Sequence, residues 1–197
     1  MQKSQRILKT LTIIIAGTLA LAARAQVGTG PWSSWSPSHS TQLVGCGTVS
    51  GTTFKLTCSN SSGEQRAEFR YSTFSTGTKQ FQGTVKVNSL GGDRISLQQT
   101  FQDSVGPWSL IAVKKSGSLY QVEGGSTLSS YTIGTSVRIN AVCNTGSDKV
   151  DNYVNGSLKN TVTGGAGRYY FKLGTYRTAS GFGPITATWS SISFYQK

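Results

Sequence analysis

The sequence predicts an all-β domain, a sandwich or a barrel. Three observations carry this. Runs rich in Val, Ile, Thr, Tyr and Phe recur at short intervals from Thr41 to the end of the chain. Gly–Gly, Ser–Gly, Asn–Gly and Thr–Gly turns separate them. No stretch beyond the first 25 residues carries a helical period. Many short strands in one domain, with no internal repeat and no second domain, close into one of those two architectures.

The chain begins with a targeting segment. Lys3, Arg6 and Lys9 form a basic start, Leu11 to Leu21 is a mostly apolar run, and Ala23–Arg24–Ala25 is a small-x-small cleavage site. The run is too short for a comfortable membrane span. Residues 1–25 are therefore expected to be a signal peptide, with the protein secreted (extracellular or periplasmic) and free of the membrane after cleavage. Removing the first 25 of 197 residues leaves 172, a normal size for one domain. Lys3, Arg6, Lys9 and Arg24 leave with the signal, so the formal charge falls from +12 to +8. A secreted basic protein attracts polyanions: acidic polysaccharide, nucleic acid or an anionic cell surface. The cations are spread along the chain, without a basic arm or helix, and that argues against nucleic acid. A monomer is expected.

Cys46 and Cys58 flank the hairpin pattern Gly47–Lys55, so a cross-strand disulfide is expected in an oxidising compartment. Cys143 shares a strand face with Val137, Ile139 and Ala141 and reads as a buried free thiol. With one histidine in the chain, no Cys/His spacing describes a metal site, and neither metal nor cofactor is expected.

Residues 26–40 read as an irregular lead, followed by the domain proper at 41–197. Trp32 and Trp35 are expected to pack on the edge of the sandwich, in preference to stacking on sugar. His39, between two serines, reads as a solvated loop residue. Strands are then expected at Thr41–Cys46, Thr53–Cys58, Gln65–Ser72, Gln80–Asn88, Arg94–Phe101, Trp108–Lys115, Ser118–Glu123, Ser136–Cys143, Lys149–Asn155, Gly167–Tyr176 and Thr186–Gln196. Asn155–Gly156, between Val154 and Leu158, is the strongest hairpin signal.

The period of two within these strands separates an apolar face from a polar one. Phe81, Gly83, Val85 and Val87 oppose Gln82, Thr84, Lys86 and Asn88. Ile95, Leu97, Gln99 and Phe101 oppose Arg94, Ser96, Gln98 and Thr100. Ala67, Phe69 and Tyr71 oppose Arg66, Glu68 and Arg70. Phe171, Leu173 and Thr175 oppose Tyr170, Lys172, Gly174 and Tyr176. Gly174 would leave a gap where a ligand approaches the backbone. A merely solvated face would use more Glu and Lys. This mixture of Arg, Gln, Lys, Thr and Tyr suits a saccharide, through planar hydrogen-bonding groups, rings and guanidinium forks.

Three motifs stand out: Arg66–Ala67–Glu68–Phe69–Arg70, Gln98–Gln99–Thr100, and Tyr170–Phe171–Lys172–Leu173–Gly174–Thr175–Tyr176. In order and spacing they resemble the alginate lyases of polysaccharide-lyase family seven. That family carries an Arg–Ser/Thr–Glu–Leu–Arg strand, a Gln–Ile/Val–His strand and a Tyr–Phe–Lys–Ala–Gly–x–Tyr strand. The likeness runs from about Gln65 to the C-terminus. It implies a concanavalin-like jelly-roll β-sandwich with a concave carbohydrate-binding sheet, a shape also used by glucuronan lyases, lectins and glucanases.

The resemblance implies β-elimination on a uronate polymer. Arg70 and Gln98 would neutralise the substrate carboxylate, which stabilises the anion formed when the C5 proton leaves. Tyr176 would be the acid and Lys172 its neighbour, with the nearby cations lowering the phenol's pKa. Glu68 would orient the guanidinium groups of Arg66 and Arg70. Arg66, Glu68, Thr100, Lys86 and Tyr170 complete the expected substrate-binding set. Thr100 stands where the family has histidine, and threonine is no base without an activator. Two readings follow: a lyase of an acidic polysaccharide that does both proton transfers with Tyr176, or a non-catalytic, lectin-like binder on the same scaffold.

Overall fold

The computed structural model describes residues 26–59, 63–177 and 183–197. Residues 1–25, expected to be a signal peptide, lie outside them. The described residues form strands and no helix: β1 (Ser33–Ser34), β2 (His39–Val44), β3 (Gly47–Ser50), β4 (Thr53–Leu56), β5 (Gln65–Tyr71), β6 (Thr78–Leu90), β7 (Arg94–Gln102), β8 (Gly106–Lys114), β9 (Ser118–Gln121), β10 (Thr127–Ser130), β11 (Ser136–Asn144), β12 (Lys149–Val154), β13 (Ser157–Thr163), β14 (Tyr169–Arg177) and β15 (Ile185–Gln196). They build two antiparallel sheets. One runs β13-β12-β11-β6-β15-β4-β3, with β1 added beside β15, and the other runs β10-β9-β8-β7-β14-β5-β2.

The alternation read from the sequence explains how the sheets face each other. Phe81, Val85 and Val87 of β6 meet Ile95 and Leu97 of β7, Phe171 and Leu173 of β14, and Phe54 and Leu56 of β4 in one apolar core. Trp189 of β15 is the largest side chain that is fully buried. It lies against Gly83, where a Cβ would stand 2.8 Å from its ring, so the glycine makes the space that the indole fills.

Asn155 and Gly156 both take positive φ, 50° and 85°, and join β12 to β13 in a two-residue hairpin. β13 itself has no expected counterpart. It is an edge strand with mostly exposed side chains, so it lacks the apolar alternation that marks the others. β10 is also absent from the expected set, and it is only four residues long. The N-terminal lead is stitched to the sandwich more closely than an irregular segment would be. β1 pairs with the end of β15, and Trp35 packs edge-on to Phe74 and Phe194 at 5.6 and 5.8 Å. His39 is exposed and opens β2, with its ring 4.2 Å from that of Phe69.

Cys46 and Cys58 are bonded, with Cα atoms 5.7 Å apart, and close the open end of the β3–β4 hairpin. The Gln65 side chain accepts the Cys46 backbone N–H at 2.8 Å and ties that hairpin to β5. Cys143 is buried and free, and burial pushes its thiol up to about 12.

Gly174 of β14 has φ 146°. A Cβ there would stand 2.2 Å from the Ala67 carbonyl oxygen and 3.0 Å from the Phe54 ring. The space that the sequence offers as an approach for a ligand is therefore already taken by the neighbouring strand and the opposite sheet. Gly174→Ala combines a strained backbone with this clash and is expected to cost at least about 3 kcal/mol. Urea unfolding of the purified variant measures it, and wild-type stability would refute the account.

Candidate active site

The three motifs occupy three adjacent strands, with β14 paired to β5 on one side and β7 on the other. Register sets which side chains meet. Opposite β5, Tyr176 faces Arg66, Gly174 faces Glu68, and Lys172 faces Arg70. Opposite β7, Tyr170 faces Phe101, Lys172 faces Gln99, and Tyr176 faces Ser96.

The β7 register corrects two expectations. A bulge between Ser96 and Gln98 adds a residue to β7 relative to β8, and the in–out alternation changes phase there. Gln98 and Thr100 consequently pair with Leu173 and Phe171, which are core residues. Both are fully buried, and the Gln98 amide donates to Thr100 Oγ1 at 3.4 Å. Neither reaches the outer face, so Gln98 is not placed to neutralise a substrate carboxylate, and Thr100 is not placed to touch substrate. Gln99 and Phe101 take the outward positions. One-strand alternation begun at Ile95 points the wrong way, and with two glutamines in succession composition offers no help.

A third expectation fails for a different reason. Lys86 lies on β6, opposite Ser136 and Thr188 in the other sheet. A sandwich has two outer faces, and alternation shows which side of a strand is polar without showing which face it joins. Lys86 belongs to the far one.

Glu68 sits at the centre of the outward face and is itself buried. Gln99 Nε2 donates to Glu68 Oε1 at 2.5 Å, Arg66 Nε lies 3.1 Å from Oε2, and Lys172 Nζ lies 3.8 Å from the same oxygen. One carboxylate thus gathers side chains from all three strands. Burial pushes its pKa up to about 7 against the pull of Lys172, Arg66 and the Gln99 amide. Lys172 is also buried, 5.0 Å from the Phe101 ring centroid. Its burial lowers the ammonium's pKa, Glu68 raises it, and Arg66 and Arg70 lower it again.

Arg66 is held on every side: by Glu64 at 2.5 Å, by Glu68, and by the Gln42 side chain at 3.3 Å. Its guanidinium carbon lies 4.9 Å from the centre of the Tyr176 ring. Arg70 goes elsewhere. It stacks on Tyr170 at 4.1 Å and reaches Asp103 at 3.4 Å, while Tyr170 stacks on Phe101 at 5.0 Å. Four residues of strand separate Arg66 from Arg70 and Tyr176 from Lys172, roughly 13 Å at strand rise. The Lys172 ammonium and the Arg66 guanidinium nevertheless converge on one Glu68 oxygen, and the arginine that contacts the phenol ring is Arg66.

The Tyr176 phenol is held above its ordinary range. Burial raises it first, Glu64 and Glu68 raise it further, and Arg66 lowers it without prevailing. This reverses the sequence expectation, because the acids that orient the arginine also act on the phenol. Gln42, Gln99, Phe101 and Asp103 are site-face residues that sequence reading missed. Only the strand pairing exposes them.

No protein-family model matches the sequence, and none of the curated proteins matches it. Solved structures do. The chain is similar to alginate lyase AlgAT5 from polysaccharide lyase family 7, with 22% identity over 74% of this chain and 78% of that one, at TM-score 0.62. It is similar to the marine family 7 alginate lyase AlyA1 from Zobellia galactanivorans, with 16% identity over 83% and 95%, at TM-score 0.63. It is also similar to alginate lyase AlyC3 in complex with dimannuronate, with 12% identity over 72% and 73%, at TM-score 0.55. The fold is the jelly roll of these alginate lyases. At these identities the likeness establishes the fold, and activity has to be argued from the site.

The Glu68 shift gives a stability test. A carboxyl raised from 4.5 to about 7 by folding keeps a proton that the unfolded chain has released. Its contribution to stability is therefore full below pH 4.5 and is lost as pH rises through 7. Glu68→Gln should remove that part of the slope, a difference of up to about 3 kcal/mol between the two chains across the window. Urea unfolding of both at the two ends of the window checks it, and parallel pH profiles would refute it.

Proposed function

We propose that the protein is a secreted lyase that cleaves an acidic uronate polymer, polymannuronate or glucuronan, by β-elimination. The observation that carries this is the half-buried Tyr176 phenol against the Arg66 guanidinium on the outward face of β14 and β5. The jelly roll shared with alginate lyases supports it, as does the dimannuronate bound by one of those neighbours.

The chemistry follows from that pair. The Tyr176 phenolate removes the C5 proton of a uronate. Arg66 stabilises the negative charge that spreads onto the substrate carboxylate. The electron pair then forms the C4–C5 double bond and breaks the bond from C4 to the bridging oxygen. The phenol, now protonated, gives its proton to that oxygen and is a phenolate again. No proton is gained or lost over the cycle.

One group performs both transfers only if the proton and the oxygen leave from one side of the ring. That holds for mannuronate and glucuronate. In guluronate they leave from opposite sides and a second group is needed. His39, the chain's one histidine, is on β2 with its ring against Phe69, away from Tyr176. The second reading is a polysaccharide-binding protein without catalysis. The observation that favours it is that Arg66 is already committed to Glu64, Glu68 and Gln42.

Incubating the chain from Gln26 onward with polymannuronate, glucuronan and polyguluronate, and following the ultraviolet absorbance of the unsaturated product, separates the readings. Product is expected from the first two polymers and little from the third. Binding without product from any of them would establish the second reading. Tyr176→Phe should lower the rate by at least about 100-fold.

The rate should also climb with pH. A phenol held above its ordinary range is almost wholly neutral at pH 7, so the phenolate fraction grows about tenfold per pH unit. A rate profile that is flat between pH 6 and 9 would contradict phenolate as the base.

A further inference from the structure

We propose that Arg168 and Arg70 form a second anionic subsite at the end of the face remote from Tyr176, which takes another carboxylate of the same uronate polymer. This rests on the polymer reading above, though not on catalysis. Arg168 precedes β14 by one residue and continues the outward row of Tyr170 and Lys172 past the end of the strand. Its side chain is 63% exposed. Its Nη2 donates to Thr73 Oγ1 at 2.7 Å, which fixes the guanidinium without neutralising it.

The two arginines share a single acid. Arg70 Nη2 lies 3.4 Å from Asp103 Oδ1, and Arg168 Nε lies 4.0 Å from Oδ2. Each guanidinium carries five N–H donors. Two loose contacts to one carboxylate leave most of these donors and one positive charge unspent. An open pocket lies directly beside them, lined by both arginines and by Ser38, His39, Ser40 and Thr73. Paired guanidinium forks ringed by hydroxyls match a pyranose that bears a carboxylate and neighbouring hydroxyl groups. Ser40 stands opposite Arg70 in the β2–β5 register, so the pocket adjoins the Arg70 end of the face that holds Glu68. Four strand residues, roughly 13 Å, separate Arg70 from Arg66. That exceeds one sugar ring, so a ligand that engages both ends is an oligomer.

The test is calorimetric binding of mannuronate oligomers, from dimer to octamer, to the disulfide-bonded protein carrying Tyr176→Phe, which keeps turnover out of the titration. Affinity should rise in a step at the length that first spans both ends. In Arg168→Gln the ratio of long-oligomer to short-oligomer affinity should fall about tenfold, the size of one charge-assisted contact. Thr73→Val, which frees Arg168 without removing its charge, should lower the same ratio by less. Carboxyl-reduced oligomers of equal length should show no step. An unchanged ratio in folded Arg168→Gln, or the same step with the neutral oligomers, overturns the subsite.

The two proposals fail separately. A length step that depends on Arg168, with no unsaturated product from the wild-type chain, sinks the lyase and supports the subsite. Product formation with no dependence of the step on Arg168 does the reverse. No binding of any uronate oligomer refutes both.

Discussion

The buried Glu68 carboxylate is the constraint on which the outward face depends. Arg66 on β5 and Lys172 on β14 bring two cations into a region with little water, and Gln99 on β7 adds an amide donor. Without an acid among them, the cations would repel one another at low dielectric. With it, the three strands are joined across their side chains as well as by their backbones. The burial is costly, as the raised Glu68 and lowered Lys172 both record. What it provides is position. The charges that would meet a polyanion are already fixed, so little ordering is left to do when one binds.

The cations of this face fall into two sets. Arg66 and Lys172 answer to Glu68, with Glu64 as a further acid on Arg66. Arg70 and Arg168 answer to Asp103 alone. The first set is dry and heavily committed, and its Arg66 contacts the Tyr176 ring. The second is wetter, carries surplus charge and borders an open pocket. On the proposed reading, chemistry and grip are separated along the strands. A polymer held at the Asp103 end would present one ring to Tyr176 at the other, and remote binding energy of this kind is what positions a reacting centre.

Much of this was legible in the sequence. Alternation located the principal strands and the core, because a strand with one buried face must repeat every second residue. Asn155–Gly156 marked its hairpin, and the cysteine spacing marked the disulfide. The adjacency of the Arg66, Gln98 and Tyr176 strands came from the resemblance alone, since propensity carries no information about pairing. What failed were matters of register. Lys86 is polar and outward, on the wrong sheet. Arg70 shares a face with Glu68 but takes its charge partner from Asp103 on the chain that leaves β7. The pKa of Tyr176 depends on Glu64, which looks like an ordinary loop acid when read in line.

The deepest of these failures has a structural cause. Around Tyr176 the sheet is irregular on both strands: β7 carries an extra residue between Ser96 and Gln98, and β14 slips between Leu173 and Tyr176. A regular strand would have turned Gln98 and Thr100 outward and Gln99 inward. The bulge turns Gln99 onto Glu68 and seals Gln98 inside. On β14, Gly174 at φ 146° admits the close approach of Ala67. Bulges re-aim side chains where an unbroken ladder cannot place them. Strict alternation misreads this stretch because the site is made by breaking it.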